Sequence, residues 1–245
     1  MHKAHGDKMK IGFQTSKYDN LTLKEELEFA IKQNVDFFDI FFDEWLPNEI
    51  TANEHKLINK LKNDNFPFTV HLPISTPKLS ENDLSLLLEF IKELRPVTAT
   101  VHFDKLTFEL LEHISNKIKD FTTISIENTI PDNHSMYQEN YLAFMKKAVK
   151  IAPIQATFDT GHCHANHYSL IQTVNELCDN GINIATVHAH DNDGTRDAHD
   201  TIGNGNIDFA SFFKLLKEKK QNPMIVIEHW TDNITSLERL RNLVS

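Results

Sequence analysis

Cysteine is scarce in this chain. Cys163 and Cys178 are the only two in 245 residues, with neither CxxC spacing nor a disulfide-dense pattern, which excludes a disulfide-stapled scaffold and fits a reducing compartment. Long apolar runs are absent as well. None approaches the roughly 18 residues of a membrane span, and the leading MHKAHGDKMK lacks the apolar stretch of a signal peptide. A soluble, cytoplasmic protein is expected, with residues 1–9 as a flexible leader. Glycine and proline number 7 and 8 and form no tract, so neither a linker nor disorder is indicated. Positive charge is in deficit: Lys and Arg total 25 against 35 Asp and Glu, a formal net charge of −10. With no basic stripe, such a surface repels a polyphosphate chain and counts against a nucleic-acid partner.

What remains is 40% hydrophobic and 24% charged, the balance of a globular protein with a sizeable core. Eight extended segments recur at a step of about 30 residues, the size of a strand, a crossover helix and a return. They are IGFQT, FFDIFF, PFTVHL, VTATVHF, TTISIEN, IQATFDT, NIATVHAH and PMIVIEH. Between them LKEELEFAIKQ, EHKLINKLKN, DLSLLLEFIKEL, FELLEHISNKI and ENYLAFMKKAVKI space apolar residues by three and four. A doubly wound open sheet would show the same alternation. It would gather its chemistry at one switch point, however, whereas here six of eight segments carry it. The expectation is a single-domain (β/α)8 TIM barrel over residues 1–245.

That chemistry consists of metal-ligating side chains at the segment ends: His71, His102, Glu127, Asp159 with His162, His188, and Glu228. In a parallel barrel the carboxyl ends of all strands meet on one face. Alternation along a strand puts Thr186, His188 and His190 on one side, and Val226 with Glu228 likewise. Glu127, Asp159, His188 and Glu228 combine three carboxylates with one imidazole, a set suited to Mn, Co, Mg or Zn. A second group is His71, His102 and His162 with Asp197 and His199 from the loop RDAHDTIGNGNID, and it could hold further ions. Singly, each residue has a structural explanation as an N-cap, a salt-bridge partner or a hydrogen-bonded histidine. Together they do not, because burying so many carboxylates without cations would be very costly.

Other residues have looser ties to the site. His190 could bind substrate hydroxyls, and Arg196 could grip a phosphate or carboxylate bidentately, although a loop arginine is also ordinary surface. Trp45 and Trp230, just past the second and eighth segments, could stack on the apolar face of a bound ligand or pack in the core or rim. Lys17 and Lys105 read as surface lysines, and Gly203-Asn-Gly205 as a turn into the last helix.

The quartet Glu127, Asp159, His188 and Glu228, with the run HAHDNDG (188–194) through DAH (197–199) to IGNGNID (202–208), resembles the xylose isomerase-like TIM barrel superfamily. The likeness runs from IGFQT to VIEHW. It implies one of two chemistries. In sugar and sugar-phosphate isomerases and epimerases, one divalent ion sits on such a quartet, and residues like Glu127 and Glu228 move protons through an enediolate. In the endonuclease IV branch, a zinc phosphoesterase, up to three zinc ions also use residues matching His71, His102, His162, Asp197 and His199. All nine are present. Endonuclease IV is typically longer, with loops that enter DNA, and a charge of −10 is awkward for a DNA enzyme. The isomerase reading is therefore placed ahead, with a small-molecule sugar or sugar phosphate as partner and further copies of the chain as an allowed one. A non-catalytic sugar- or metal-binding barrel is the third reading, against which stands the pair of proton-moving glutamates.

Overall fold

The computed structural model describes residues 8–16, 21–43, 45–104, 106–130, 137–229 and 232–245. Trp230, Lys17, Lys105 and residues 1–7 of the leader lie outside them. Eight parallel strands close into a barrel in chain order: β1 (Lys10–Gln14), β2 (Phe37–Phe41), β3 (Phe68–His71), β4 (Thr98–His102), β5 (Thr123–Glu127), β6 (Ile154–Asp159), β7 (Ile184–Ala189) and β8 (Met224–Ile227). Closure is made by β1 on β8, from Lys10 opposite Met224 to Phe13 opposite Ile227. Each strand is followed by a helix: α1 (Leu23–Lys32), α2 (Ala52–Asn63), α3 (Glu81–Leu94), α4 (Phe108–Ile118), α5 (Tyr137–Ala148), α6 (Thr160–Ala165) with α7 (Leu170–Asp179), α8 (Phe209–Glu218) and α9 (Asn233–Val244). The TIM barrel expected from the eight segments is thus the observed fold.

Helix starts follow from capping. Thr22 and Thr51 open α1 and α2 with reciprocal capping boxes to Glu25 and Glu54, which satisfy amide donors that a helix N-terminus otherwise leaves unpaired. Ser80, Thr107, Ser169 and Asp208 cap α3, α4, α7 and α8 in the simpler way. The Gly203-Asn-Gly205 turn leads into α8, the penultimate helix and not the last, because β8 and α9 still follow.

The strands alternate sharply. Outward residues such as Phe13, Phe38, Val70, Val101, Ile126, Phe158, Val187 and Ile225 pack beneath helix residues including Leu27, Leu88, Ile114, Leu177 and Phe212 in one core. Inside the barrel a separate small cluster, Phe37, Met224 and Val226, fills one part. Much of the remaining interior is hydroxylic. Thr98 Oγ1 lies 2.9 Å from Thr186 Oγ1, and Thr157 bonds Thr100 at 2.9 Å and Ser125 at 2.7 Å. The first of these pairs joins β4 to β7, which are not neighbours in the sheet. Aromatics of FFDIFF fall on both faces as expected: Phe37 inside, Phe38 outside, and Phe41 edge-on to His71. Asp39, between them, is fully buried.

Candidate metal centre

Parallel pairing brings the ends of β3 to β8 onto one rim. His102 stands opposite Glu127, and Asp159 opposite His188, in register across neighbouring strands; Glu228 follows β8 by one residue. Glu127 lies at the hub. Its Oε2 is 2.8 Å from His71 Nε2 and 3.4 Å from His102 Nε2, while its Oε1 is 3.2 Å from His188 Nδ1 and 3.3 Å from His162 Nδ1. Glu228 Oε2 closes on His188 Nδ1 at 2.6 Å. Among the described residues, three groups offer ligand atoms within 4.8 Å of one another: Glu127, Asp159, His188 and Glu228; His71, Glu127 and His188; and His162, His190, Asp197 and His199.

The local sequence explains several placements. Asp159 ends β6 and caps α6, its Oδ1 accepting the His162 amide at 2.5 Å, so a strand-end carboxylate and a histidine three residues on are fixed by one helix start. The N-cap explanation for Asp159 is therefore correct, and it coexists with membership of the ligand group, the other oxygen standing 3.1 Å from His190 Nε2. Asn128 joins β5 to β6: its side chain donates to Asp159 O at 2.9 Å and accepts from Asp159 N at 2.8 Å, while its carbonyl accepts from His162 Nδ1 at 3.0 Å. His199 adopts a left-handed backbone, φ 48°, an uncommon state for a side chain of its size and one that often marks functional positions.

Whether these residues suit a cation can be tested on their hydrogen bonds. His71, His162 and His199 each point Nδ1 at a backbone carbonyl, of Leu72 (2.8 Å), Asn128 (3.0 Å) and Glu228 (2.9 Å). A carbonyl only accepts, so each Nδ1 carries hydrogen and each neutral ring presents a lone pair at Nε2. Those lone pairs face carboxylate oxygens: Glu127 at 2.8 Å, and Asp197 at 3.3 Å and 3.0 Å. Acceptor facing acceptor needs a proton or a metal ion between them, and this pinning of the second ring nitrogen is how metal-bound histidines are oriented. The buried His188 Nε2, His190 Nδ1 and Asp197 Oδ1 make no hydrogen bond. The donor set fits divalent cations.

Electrostatics without a cation show the same demand. Burial disfavours charge on His188, yet Glu228 and Glu127 outweigh it and lift its pKa well above the ordinary value. Burial is likewise overcome at His162 by Asp159 and Asp197, and at His199 by Asp197, which carries it up to about 9. His102, hemmed in by His71 and His162, is instead driven by burial down to about 3. Glu127 and Glu228 stay ionised, because neighbouring histidines, His188 foremost, overcome the cost of burying them.

All nine expected ligands converge. His190 is fully buried, its Nε2 3.1 Å from Asp159 Oδ2 and its ring stacked on His199 at 3.9 Å, so it touches ligand residues and not the open mouth. Its space exists because residue 161 is glycine; a Cβ there would lie 1.8 Å from the His190 ring. Arg196 is exposed on the loop, and Trp45 packs in the outer core. Cys163 is a buried free thiol whose pKa burial raises to about 12, far from nucleophilic. Asn128 and Asp39 were not foreseen. The signals available were an amide directly after Glu127 and a lone acid within an aromatic strand.

Fold and site together define a closed (β/α)8 barrel with a cluster of carboxylate and imidazole ligands at its strand ends. The chain belongs to the xylose isomerase-like TIM barrel family, which residues 95–243 match. Two uncharacterised proteins of Methanocaldococcus jannaschii are similar in sequence. MJ1614 is 26% identical over 94% of this chain and 96% of its own length, and MJ1311 is 42% identical over 30% of this chain but only 25% of that protein. Among solved structures, a D-tagatose 3-epimerase-like protein superposes with a TM-score of 0.73 at 24% identity, covering 96% of this chain and 97% of the other. An L-ribulose 3-epimerase gives 0.67 at 13%, covering 96% and 86%. At such identities these structures establish the shared fold. Among the described residues no helix is long and apolar enough to cross a membrane.

Proposed function

We propose that this protein is a divalent-metal-dependent isomerase or epimerase of sugars or sugar phosphates, with Glu127 and Glu228 as its proton-moving residues. The observation that carries this reading is the meeting of two buried glutamates from β5 and the end of β8 at one imidazole, His188 Nδ1, at 3.2 Å and 2.6 Å. Held by Glu127, Asp159, His188 and Glu228, a divalent ion (Mn, Mg, Co or Zn) would supply Lewis acidity toward a substrate carbonyl. Both glutamates are ionised at neutral pH, the state a base requires. One takes the proton from the carbon beside the carbonyl. The other, which must first take up a proton from water, delivers it to the opposite face of that carbon, giving an epimer, or to the neighbouring carbon, giving an isomer. His71 steadies Glu127 through its second oxygen. The likeness in fold to an epimerase and to an epimerase-like protein supports the reading, and a non-catalytic barrel would not require both glutamates.

The test is exchange. Metal-loaded protein is incubated with a panel of keto and aldo sugars and their phosphates in D2O, and deuterium entry beside the carbonyl is followed by NMR. Exchange is expected, and Glu127→Gln or Glu228→Gln should lower it by at least about 100-fold with the circular dichroism unchanged. A panel with no exchange under any of the four metals overturns the reading.

A second reading, a multi-zinc phosphodiester hydrolase, is favoured by one observation: ligands flank the quartet on both sides, His71 with His102 and His162 with Asp197 and His199. Elemental analysis separates the two. One ion per chain supports proton transfer, whereas three zinc ions with phosphodiester cleavage support hydrolysis.

A further inference from the structure

Of the ligands on the rim, Asp197 and His199 alone come from a loop with no strand beneath them, so something else must fix their position. The chain leaves β7, runs out through residues 192–199 and returns to pair Asp200 with Asp191, each amide donating to the other's carbonyl at 2.9 Å. Past that pairing it folds back a second time. The Asp191 carboxylate, completely buried, accepts three backbone amides: Asn192 at 2.9 Å and Ile207 at 3.2 Å on Oδ1, and Gly203 at 2.8 Å on Oδ2. Asn192 adds further ties, donating to Gly161 O at 3.0 Å and accepting the Asn206 amide on its carbonyl at 3.1 Å. Two glycines make the wrap passable. Gly203 sits at φ +85°, and a Cβ on Gly205 would come within 2.4 Å of Asp191 Oδ1 and 2.3 Å of Asn192 O.

We propose that Asp191 is the positioning residue for the outer ligand pair Asp197 and His199. It does not act at the metal itself, since its two oxygens are taken up by amide donors. What it does is hold residues 200–207 against the end of β7, and this sets the base from which the hairpin reaches back over the barrel. On the hairpin's returning arm, next to the Asp200 pairing, His199 Nδ1 donates to Glu228 O, and Asp197 Oδ2 stands 3.0 Å from His199 and 3.3 Å from His162. Without the carboxylate, the Gly203 and Ile207 amides lose their buried acceptor, which favours opening that stretch to water. The strand-borne quartet has no such dependence. Asp191 therefore separates the outer ligand layer from the inner one, whichever reaction the site performs.

The experiment compares wild type with Asp191→Ala, Asp191→Asn and Gly205→Ala. Amide exchange over residues 200–207, Co2+ titration followed by its absorption, elemental zinc content and thermal melting are read on each. In Asp191→Ala, exchange at Gly203 and Ile207 should quicken at least about 10-fold, and the more weakly held ion should lose about 10- to 100-fold in affinity, the usual cost of removing an orienting partner. The tightly held ion should stay within about 2-fold and the melting temperature should change little. Asp191→Asn, which keeps one acceptor oxygen, should fall between, and Gly205→Ala should reproduce the alanine phenotype by displacing the same carboxylate even if Asp191→Ala folds poorly. Equal loss of all metal in step with a lower melting temperature overturns the proposal, as does a wild type that binds one ion with an affinity indifferent to Asp191. If the metal contrast holds while no sugar exchanges deuterium, the proposed reaction falls and the role of Asp191 stands.

Discussion

Four histidines of this site, His71, His162, His188 and His199, are lifted above their ordinary pKa because carboxylates crowd their ring nitrogens. His162 and His188 are raised well above it and His199 to about 9, so the metal-free protein holds protons there at pH 7. A ligand nitrogen must be unprotonated, so metal binding has to expel them. Zinc titrated calorimetrically at pH 7 in buffers of different ionisation enthalpy should give heats that vary with the buffer, reporting release of at least about one proton per chain; heats independent of buffer would contradict this. The sign for stability follows. With its folded pKa raised from 6.5 to about 9, His199 contributes fully below about 6.5, and that contribution disappears as pH rises through about 9. Metal-free protein should thus weaken over that interval.

At the scale of elements, the capping residues do more than start helices. Glu54 closes the capping box of α2, accepting from Thr51 N and Oγ1 at 2.8 Å and 2.7 Å, and its other oxygen accepts the Lys24 amide at the start of α1 at 3.3 Å. Its loss frees donors on two helices. Glu54→Ala should cost about 1–2 kcal/mol in urea unfolding, and more than Glu25→Ala, whose box serves α1 alone. The strands and most helices were legible in the sequence because each carries its own period and punctuation. Segments such as TATVH and TISIE alternate because the barrel interior is polar, and FELLEHISNKI repeats at helical spacing. The short α6 was not legible: TGHCHA has no apolar stripe, and its helix exists because Asp159 caps it. Candidate metal ligands stood out as residue types at strand ends. Asn128 and Asp191 did not, since their roles lie in which backbone groups they meet, and that depends on contacts 31 and 16 residues apart in sequence.

For the whole molecule, the barrel's hydroxyl-rich interior distinguishes it from one filled by branched aliphatics. Thr157 bonds Thr100 and Ser125 from two other strands. Thr157→Val keeps the shape but leaves the Thr100 and Ser125 hydroxyls only their 3.3 Å contact with each other, and urea unfolding should show a loss of about 1 kcal/mol; an unchanged midpoint would mean that this contact suffices. A deeper consequence follows from the bond between Thr98 and Thr186 across the lumen. Aliphatic packing sets a separation by volume and tolerates slippage, whereas an oxygen-to-oxygen contact has one preferred length. Beneath the candidate ligands, the barrel therefore carries its own gauge: the two strands that bear His102 and His188 are tied across the lumen by an oxygen-to-oxygen contact of 2.9 Å.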